Sequence, residues 1–512
     1  MSTRQERAGR VPQEIERRRG ALGLWAGRLL VGSTLLLGGV TYASGAPARA
    51  AGACTVALGG SIQQAVDDLS CAIISVAGGT FKERVRINRI DGSHVEIDGA
   101  AEGTPTVVDG GKAGTVFNIA GGQVTLTRLT IVNGTVGSAP AGGGGIFNQG
   151  RLFLIDSTVS QNFAGLGNSG GGIFNLGQVT LTHSTVRNNH AGSTGGGIEN
   201  QGKLTLEDST LSGNTAGVSG GGILNAATSQ LTMRNSTLSA NMAVVSGGGI
   251  FNSTSNGSLT MVNCTLQGNS ATYGGGMLND NGSSNVTLVS STLSGNSDGV
   301  FNSGTLDLSN SLVAGNGTPA SPADIVGNGK TINDGHNIVG LIVHDKAYTL
   351  SQILATDGSG NPILRDNGGP TRTIALVEDS PALDAVPVAA CKDTSGQPLA
   401  TDQRGVSRPQ GRVCDIGAFE KVTPSGLCTS TLQDIQTSAN FQALSIQQKA
   451  AVMGLAQPLC EEIATVVPTI SPARKAQLVV AYQRGVQALV APGWLTQDQG
   501  TLLAKISGDL LS

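Results

Sequence analysis

Between Gly143 and Asn302 the chain repeats one pattern of apolar and polar positions seven times. Each pass opens on a glycine run and an Ile-x-Asn-like triplet, as in GGGIFN, GGGIEN, GGGILN and GGGMLN, and the last is degenerate, DGVFN. The register positions Ile146, Ile173, Ile198, Ile223, Ile250, Met277 and Val300 lie 27, 25, 25, 27, 27 and 23 residues apart. An alternating segment follows each triplet, such as Leu204-Thr205-Leu206, and then a Ser-Thr-x-x-x-Asn-like unit, such as Ser209 to Asn214. Alternation with period two signals strands, and no helical period occurs inside the unit. Three short strands per repeat, separated by Gly, Asn, Asp and Ser turns, describe a solenoid coil. Equivalent strands of successive coils run parallel, and parallel crossovers are right-handed almost without exception. The pattern therefore predicts an all-β fold, a right-handed parallel β-helix rising about 4.8 Å per coil. It spans 51–335, with the most regular repeats at 143–316.

Upstream, SIQQAVDDL reads as a short helix with Ser61 and Gln64 as a capping box and Ile62, Ala65, Val66 and Leu69 apolar. It is expected to cap the first coil, because an open solenoid end presents unpaired strand edges. From residue 428 to 512 the period becomes helical. Val452, Leu455, Ala456, Leu459 and Ile463 form one stripe, and Leu478, Tyr482, Val486 and Leu489 another. Ser445 with Gln448 and Thr496 with Gln499 form capping boxes, and Ser471-Pro472 is a helix start. A small α-helical module of three or four helices is predicted there.

The repeat also aligns polar residues. Asn148, Asn175, Asn200, Asn225, Asn252, Asn279 and Asn302 form one column, and Asn162, Asn189, Asn214, Asn241, Asn269, Asn296 and Asn316 another. Stacked amides donate and accept along the axis, so both read as structural ladders. Within the triplets, Phe147, Phe174, Glu199, Leu224, Phe251, Leu278 and Phe301 form a third column. If the isoleucines face inward, alternation turns this column outward, either as an exposed stripe binding a partner or glycan or as a surface covered by packed loops or the terminal module. The middle residues of the long strands, Phe153, Thr180, Thr205, Thr232, Thr260, Thr287 and Asp307, give a wall that is mostly threonine. Asp156, His183, Asp208, Asn235, Asn263, Ser290 and Asn310 share one register and fit a turn position.

Composition sharpens this reading. Glycine contributes 76 of 512 residues, but without a Gly-X-Y period, and 39% apolar content is too high for a solvated disordered chain. Residues 1–50 read as an export signal: a basic start, the apolar run Leu29 to Val40, and Ala48-Arg49-Ala50 as a cleavage pattern. The same segment allows an uncleaved anchor. Without it the formal charge falls from −3 to −8, which argues against nucleic-acid backbone binding. Seven cysteines suit an oxidising compartment. Cys54 and Cys71, Cys391 and Cys414, and Cys428 and Cys460 are the simplest local pairs, leaving Cys264 at a position that serine holds in neighbouring repeats.

Residues 318–420 carry a different signature: GHNIVG, DNGGPTRTIAL, DSPALDA, TDQRGVSRP and CDIGAFE. In this order the segments resemble the choice-of-anchor Q domain of exported bacterial surface proteins, which follows β-helix repeats of the Gly-Gly-Gly-Ile-Tyr-Asn type. The resemblance implies secreted or cell-surface placement. No sorting motif or terminal apolar tail follows, which departs from that family. The charged residues Asp384, Asp402, Arg404, Arg408, Asp415 and Glu420 read as a closing cap over 336–420, held by Arg–carboxylate pairs and the Cys391–Cys414 bridge. The stretch GWLTQDQGTLLAKISG is weakly similar to the helical hairpins called FIMAH domains.

The β-helix repeats also resemble the pectate-lyase-like superfamily, which includes polysaccharide lyases and hydrolases. Such activity needs converging carboxylates with a basic residue, or a carboxylate pair about 5 to 10 Å apart. Neither assembles from the sequence, no cofactor is called for, and His183 and His190 make a poor metal pair. The leading expectation is an exported, non-catalytic, adhesin-like scaffold binding polysaccharides or cell-surface proteins. Its only membrane contact would be the N-terminal segment if uncleaved. The alternative is an extracellular polysaccharide lyase or glycoside hydrolase.

Overall fold

The computed structural model describes residues 52–511 apart from 90–91, 137–141, 256, 281, 319, 334 and 465–469. The expected export signal at 1–50 lies outside the described residues. The rest is a right-handed parallel β-helix with helices at its C-terminal end. Each coil visits the Ile-x-Asn strand, then the long alternating strand, then the Thr-x-Ser strand. These stack into sheets of ten, twelve and eleven strands, here called the triplet, long and threonine–serine sheets. Register is kept from coil to coil: Ile146 pairs with Ile173 and Asn148 with Asn175, and Leu152 with Val179. The sequence reading missed a fourth piece, a two-residue strand in five coils from Thr135–Val136 to Met242–Ala243. Two residues are too few to register as alternation.

Inward side chains form one continuous core from Val56 to Val313. Ile146, Ile173, Ile198 and Ile223 are completely buried, so the triplet isoleucines do face inward. The solenoid runs slightly past residue 335, since Ile338–Val339 still pairs in parallel with Leu312–Val313. At the other end α1 (Ile62–Asp67) covers the core with Ile62 and Val66. Ser61 accepts the Gln64 amide, but the Glu83 carboxylate, not Gln64, completes the cap by accepting from the Ile62 and Gln63 amides at 2.8 and 3.1 Å. Leu69 lies beyond the helix and is 76% exposed.

Residues 341–420 are placed differently from expectation. They run back along the outside of the threonine–serine sheet as a lateral strap. Thr237 donates to the Arg372 carbonyl (2.7 Å), Asn263 to that of Thr401 (2.8 Å) and Asn310 to that of Ala390 (2.8 Å), while the Ala418 amide donates to Thr292 (3.0 Å). The cause is a change in the outward columns. Where the three preceding coils present Thr182, Glu207 and Arg234, later ones present Val262 and Val289, which pack with Leu312 against Ile353, Leu354, Ile374 and Phe419. The predicted Arg–carboxylate pairs and bridge hold the strap together: Arg404 to Asp402 at 2.9 Å, Arg408 to Glu420 at 2.8 Å, and Cys391 to Cys414, all buried.

The helical module begins at Pro424, four residues before the predicted boundary, with Thr423 as N-cap. It has five α-helices among the described residues: α2 (Pro424–Thr437), α3 (Ala439–Gln442), α4 (Ile446–Ala464), α5 (Pro472–Val490) and α6 (Gln497–Ile506). Both capping boxes form, and Cys428–Cys460 ties α2 to α4. Leu455 departs from its expected stripe and is 64% exposed.

Candidate binding cleft

Both asparagine columns are hydrogen-bonded ladders. In the first, amide-to-amide bonds of 2.8–3.0 Å run unbroken from Asn148 to Asn302 through Asn175, Asn200, Asn225, Asn252 and Asn279. The second continues from Asn162 to Asn316 and ends on the Asp324 carboxylate at 2.8 Å. A third ladder escaped the sequence reading: the amides of Ser157, Ser184 and Ser209 each donate to the serine hydroxyl one coil on, at 3.1–3.2 Å. Cys264 occupies this column, its amide donating to Ser291. Burial pushes its thiol up to about 12, so it is a buried structural thiol. The third disulfide, Cys54–Cys71, joins the first two strands of the long sheet.

The Phe147–Phe301 column faces away from the core, yet it is not an exposed stripe. Phe174 and Glu199 are 8% and 4% exposed, and Phe147, Phe251 and Phe301 are half-buried. Before five of the seven triplets the loop folds back over the column through a glycine of positive φ, at Gly170, Gly195, Gly220, Gly247 and Gly274. At Gly195 (φ 62°) a Cβ would stand 2.7 Å from the Glu199 amide nitrogen, so only glycine permits this approach. Outward orientation therefore did not spare Glu199 from burial. Thr194 and Gln201 donate to its carboxylate at 2.8 and 3.3 Å. Burial outweighs these bonds and pushes the carboxyl up to about 7.

The threonine wall of the long sheet is half-exposed from Phe153 to Asp307. A more enclosed surface occurs on the threonine–serine sheet, where the strap stands off it. Thr185, Thr210 and Thr237 line one side of a cleft of about 420 Å³ with Ser212 and Ser239. Leu364, Asp366, Pro370 and Arg372 line the other. The strap turn is fixed by consecutive positive-φ glycines, Gly368 and Gly369. A Cβ on Gly369 would lie 2.5 Å from the Arg404 Cα. Asp366 accepts from the Gly368 amide and pairs with Lys505 of α6 at 2.9 Å, a bond that holds its carboxyl below the usual range.

Beyond Gly369 and Pro370 a second cleft, about 460 Å³, is lined by Asp156, His183, Asp498, Leu502 and Lys505. His183 stands between Asp156 (3.9 Å) and Asp208 (3.7 Å). All three have φ near +50°, as a turn position requires, and so do Asn235, Asn263, Ser290 and Asn310. Burial raises the Asp208 carboxyl above its usual range. The strongly raised carboxyls, Glu199, Asp415 and Asp434, line neither cleft. Among the described residues no group of three or more His, Cys, Asp or Glu is disposed to hold a metal ion, and no helix is long and apolar enough to cross a membrane. No curated protein and no solved structure matches the chain. Residues 114–293, which include the regular coils from Gly143 into the sixth repeat, match the family model for the right handed beta helix region.

Proposed function

We propose that the chain is an exported, non-catalytic scaffold that binds extracellular glycans in the cleft between the threonine–serine sheet and the Asp366–Arg372 turn. The observation that carries this reading is the cleft itself. Hydroxyls from three successive coils, those of Thr185, Thr210, Ser212 and Ser239, face a charged and polar rim across a space of the size small ligands occupy, while Thr237 closes one end by bonding the Arg372 carbonyl. Such rows match a repeating polyhydroxyl ligand better than a single small molecule. Three disulfides fit an oxidising extracellular compartment, and the resemblance of 318–420 to choice-of-anchor Q domains supports secretion or display at the cell surface.

The Asp156–His183–Asp208 row favours a second reading, a polysaccharide lyase or hydrolase, because it places the Asp156 carboxylate and the His183 imidazole on the second cleft, with the Asp208 carboxylate 3.7 Å behind that imidazole. A glycan array with parallel assays for reducing ends and unsaturated products separates the two. The binding reading expects retained glycans without turnover, and at least about tenfold weaker retention by Thr210→Val combined with Ser212→Ala, equivalent to about 1.4 kcal/mol. Turnover abolished by Asp156→Asn would establish the enzyme instead.

A further inference from the structure

One corner of the solenoid, where the two-residue strands meet the loops preceding the triplets, is unusually apolar and uncharged. Leu166, Val218, Met242, Val244, Val245 and Tyr273 are between 41% and 93% exposed there. Phe163 adds an exposed ring stacked on His190 at 5.1 Å, and Tyr273 packs edge-on against Phe301 at 5.8 Å, so the patch runs onto the half-buried triplet column. The segments that build it, 163–175, 190–200, 215–225, 242–252 and 270–279, contain no Asp, Lys or Arg and one Glu, the buried Glu199.

These side chains expose on the order of 600 Å² of apolar surface, at the upper end of what a monomer leaves bare. With the neighbouring hydroxyls of Ser193, Thr215 and Thr272 the area approaches the roughly 800 Å² per partner of a standard interface. The middle of the patch, Val218, Met242, Val244 and Val245, offers a sugar neither a planar ring nor a hydrogen bond and suits a protein surface of the same kind, while the rings of Phe163 and Tyr273 stand at its two ends. Charge points the same way. The chain beyond residue 50 carries a net −8, so two copies repel in general. At this corner the one acidic group close by is Asp298, at the Tyr273 end, so two copies meet with little like charge brought together.

We propose that the chain self-associates through this corner, two solenoids lying side by side with their Val244–Val245 ridges in contact as an isologous pair. This does not depend on the glycan reading, since the cleft lies on another sheet. Sedimentation of the full chain across a micromolar concentration series tests it. The expected result is a dimer whose dissociation constant rises at least about tenfold in Val244→Lys combined with Val245→Lys, and is unchanged by Thr205→Lys on the long sheet. Met242→Lys, at a 48% exposed site, gives the same readout should the double variant fail to fold. A parent that stays monomeric throughout, or an association that survives the corner substitutions, overturns the proposal.

Discussion

Glu199 shows how one side chain departs from a periodic rule. Six of the seven residues in its column are Phe or Leu, and the alternation correctly puts the column outside the core. Alternation gives the side of a strand and not what lies over it. The covering loop depends on a glycine bend that the sequence marks only as a GGG run. The asparagine ladders were legible for the opposite reason: each amide needs only its own periodicity to find its partner. A pH dependence follows from Glu199. Its folded carboxyl titrates near 7 against an ordinary 4.5, so between these values the folded state binds more protons than the unfolded state. The stability this group contributes is present below about pH 4.5 and is lost as pH rises through 7, at most about 3 kcal/mol in all. Glu199→Gln, which keeps hydrogen-bonding capacity without the charge, is expected to gain stability over the parent at pH 8 and little at pH 5. Thermal or urea melts at the two pH values check this, and parallel curves would contradict it.

Among the elements, the strap carries the interaction the sequence conveyed least. Its ion pairs and bridge were readable as a closing cap from spacing and charge, whereas its position depends on contacts some 130 residues away in sequence. The signal present was Val262 and Val289 in a column that is polar or charged in the three preceding coils, an apolar pair needing a cover. Gln403 fastens the cover. Fully buried, it accepts from Thr265 at 2.6 Å and donates to Thr237 and Thr371 at 2.8 and 2.9 Å. Gln403→Ala leaves buried hydroxyls short of partners and is expected to cost about 2–3 kcal/mol. Faster amide exchange confined to 366–376 and the facing strands is the expected readout. Exchange that rises equally throughout the solenoid would assign Gln403 to global stability instead.

For the whole molecule, the repeat dictated architecture and the strap created the cleft. A solenoid wall alone is flat, and repetition gives every coil the same chemistry. A site arises where the wall meets something aperiodic, here the Asp366–Arg372 turn and Lys505 of α6. This is why the fold was readable from period and alternation, while the cleft, joining Thr210 to residues more than 150 positions away, was not. Hydrogen–deuterium exchange with and without a glycan retained on the array tests the central claim most directly. The account predicts protection confined to 185–187, 210–212, 237–239 and 364–372. Protection of Thr180, Thr205 and Thr232 on the long sheet, or none on either wall, would contradict it.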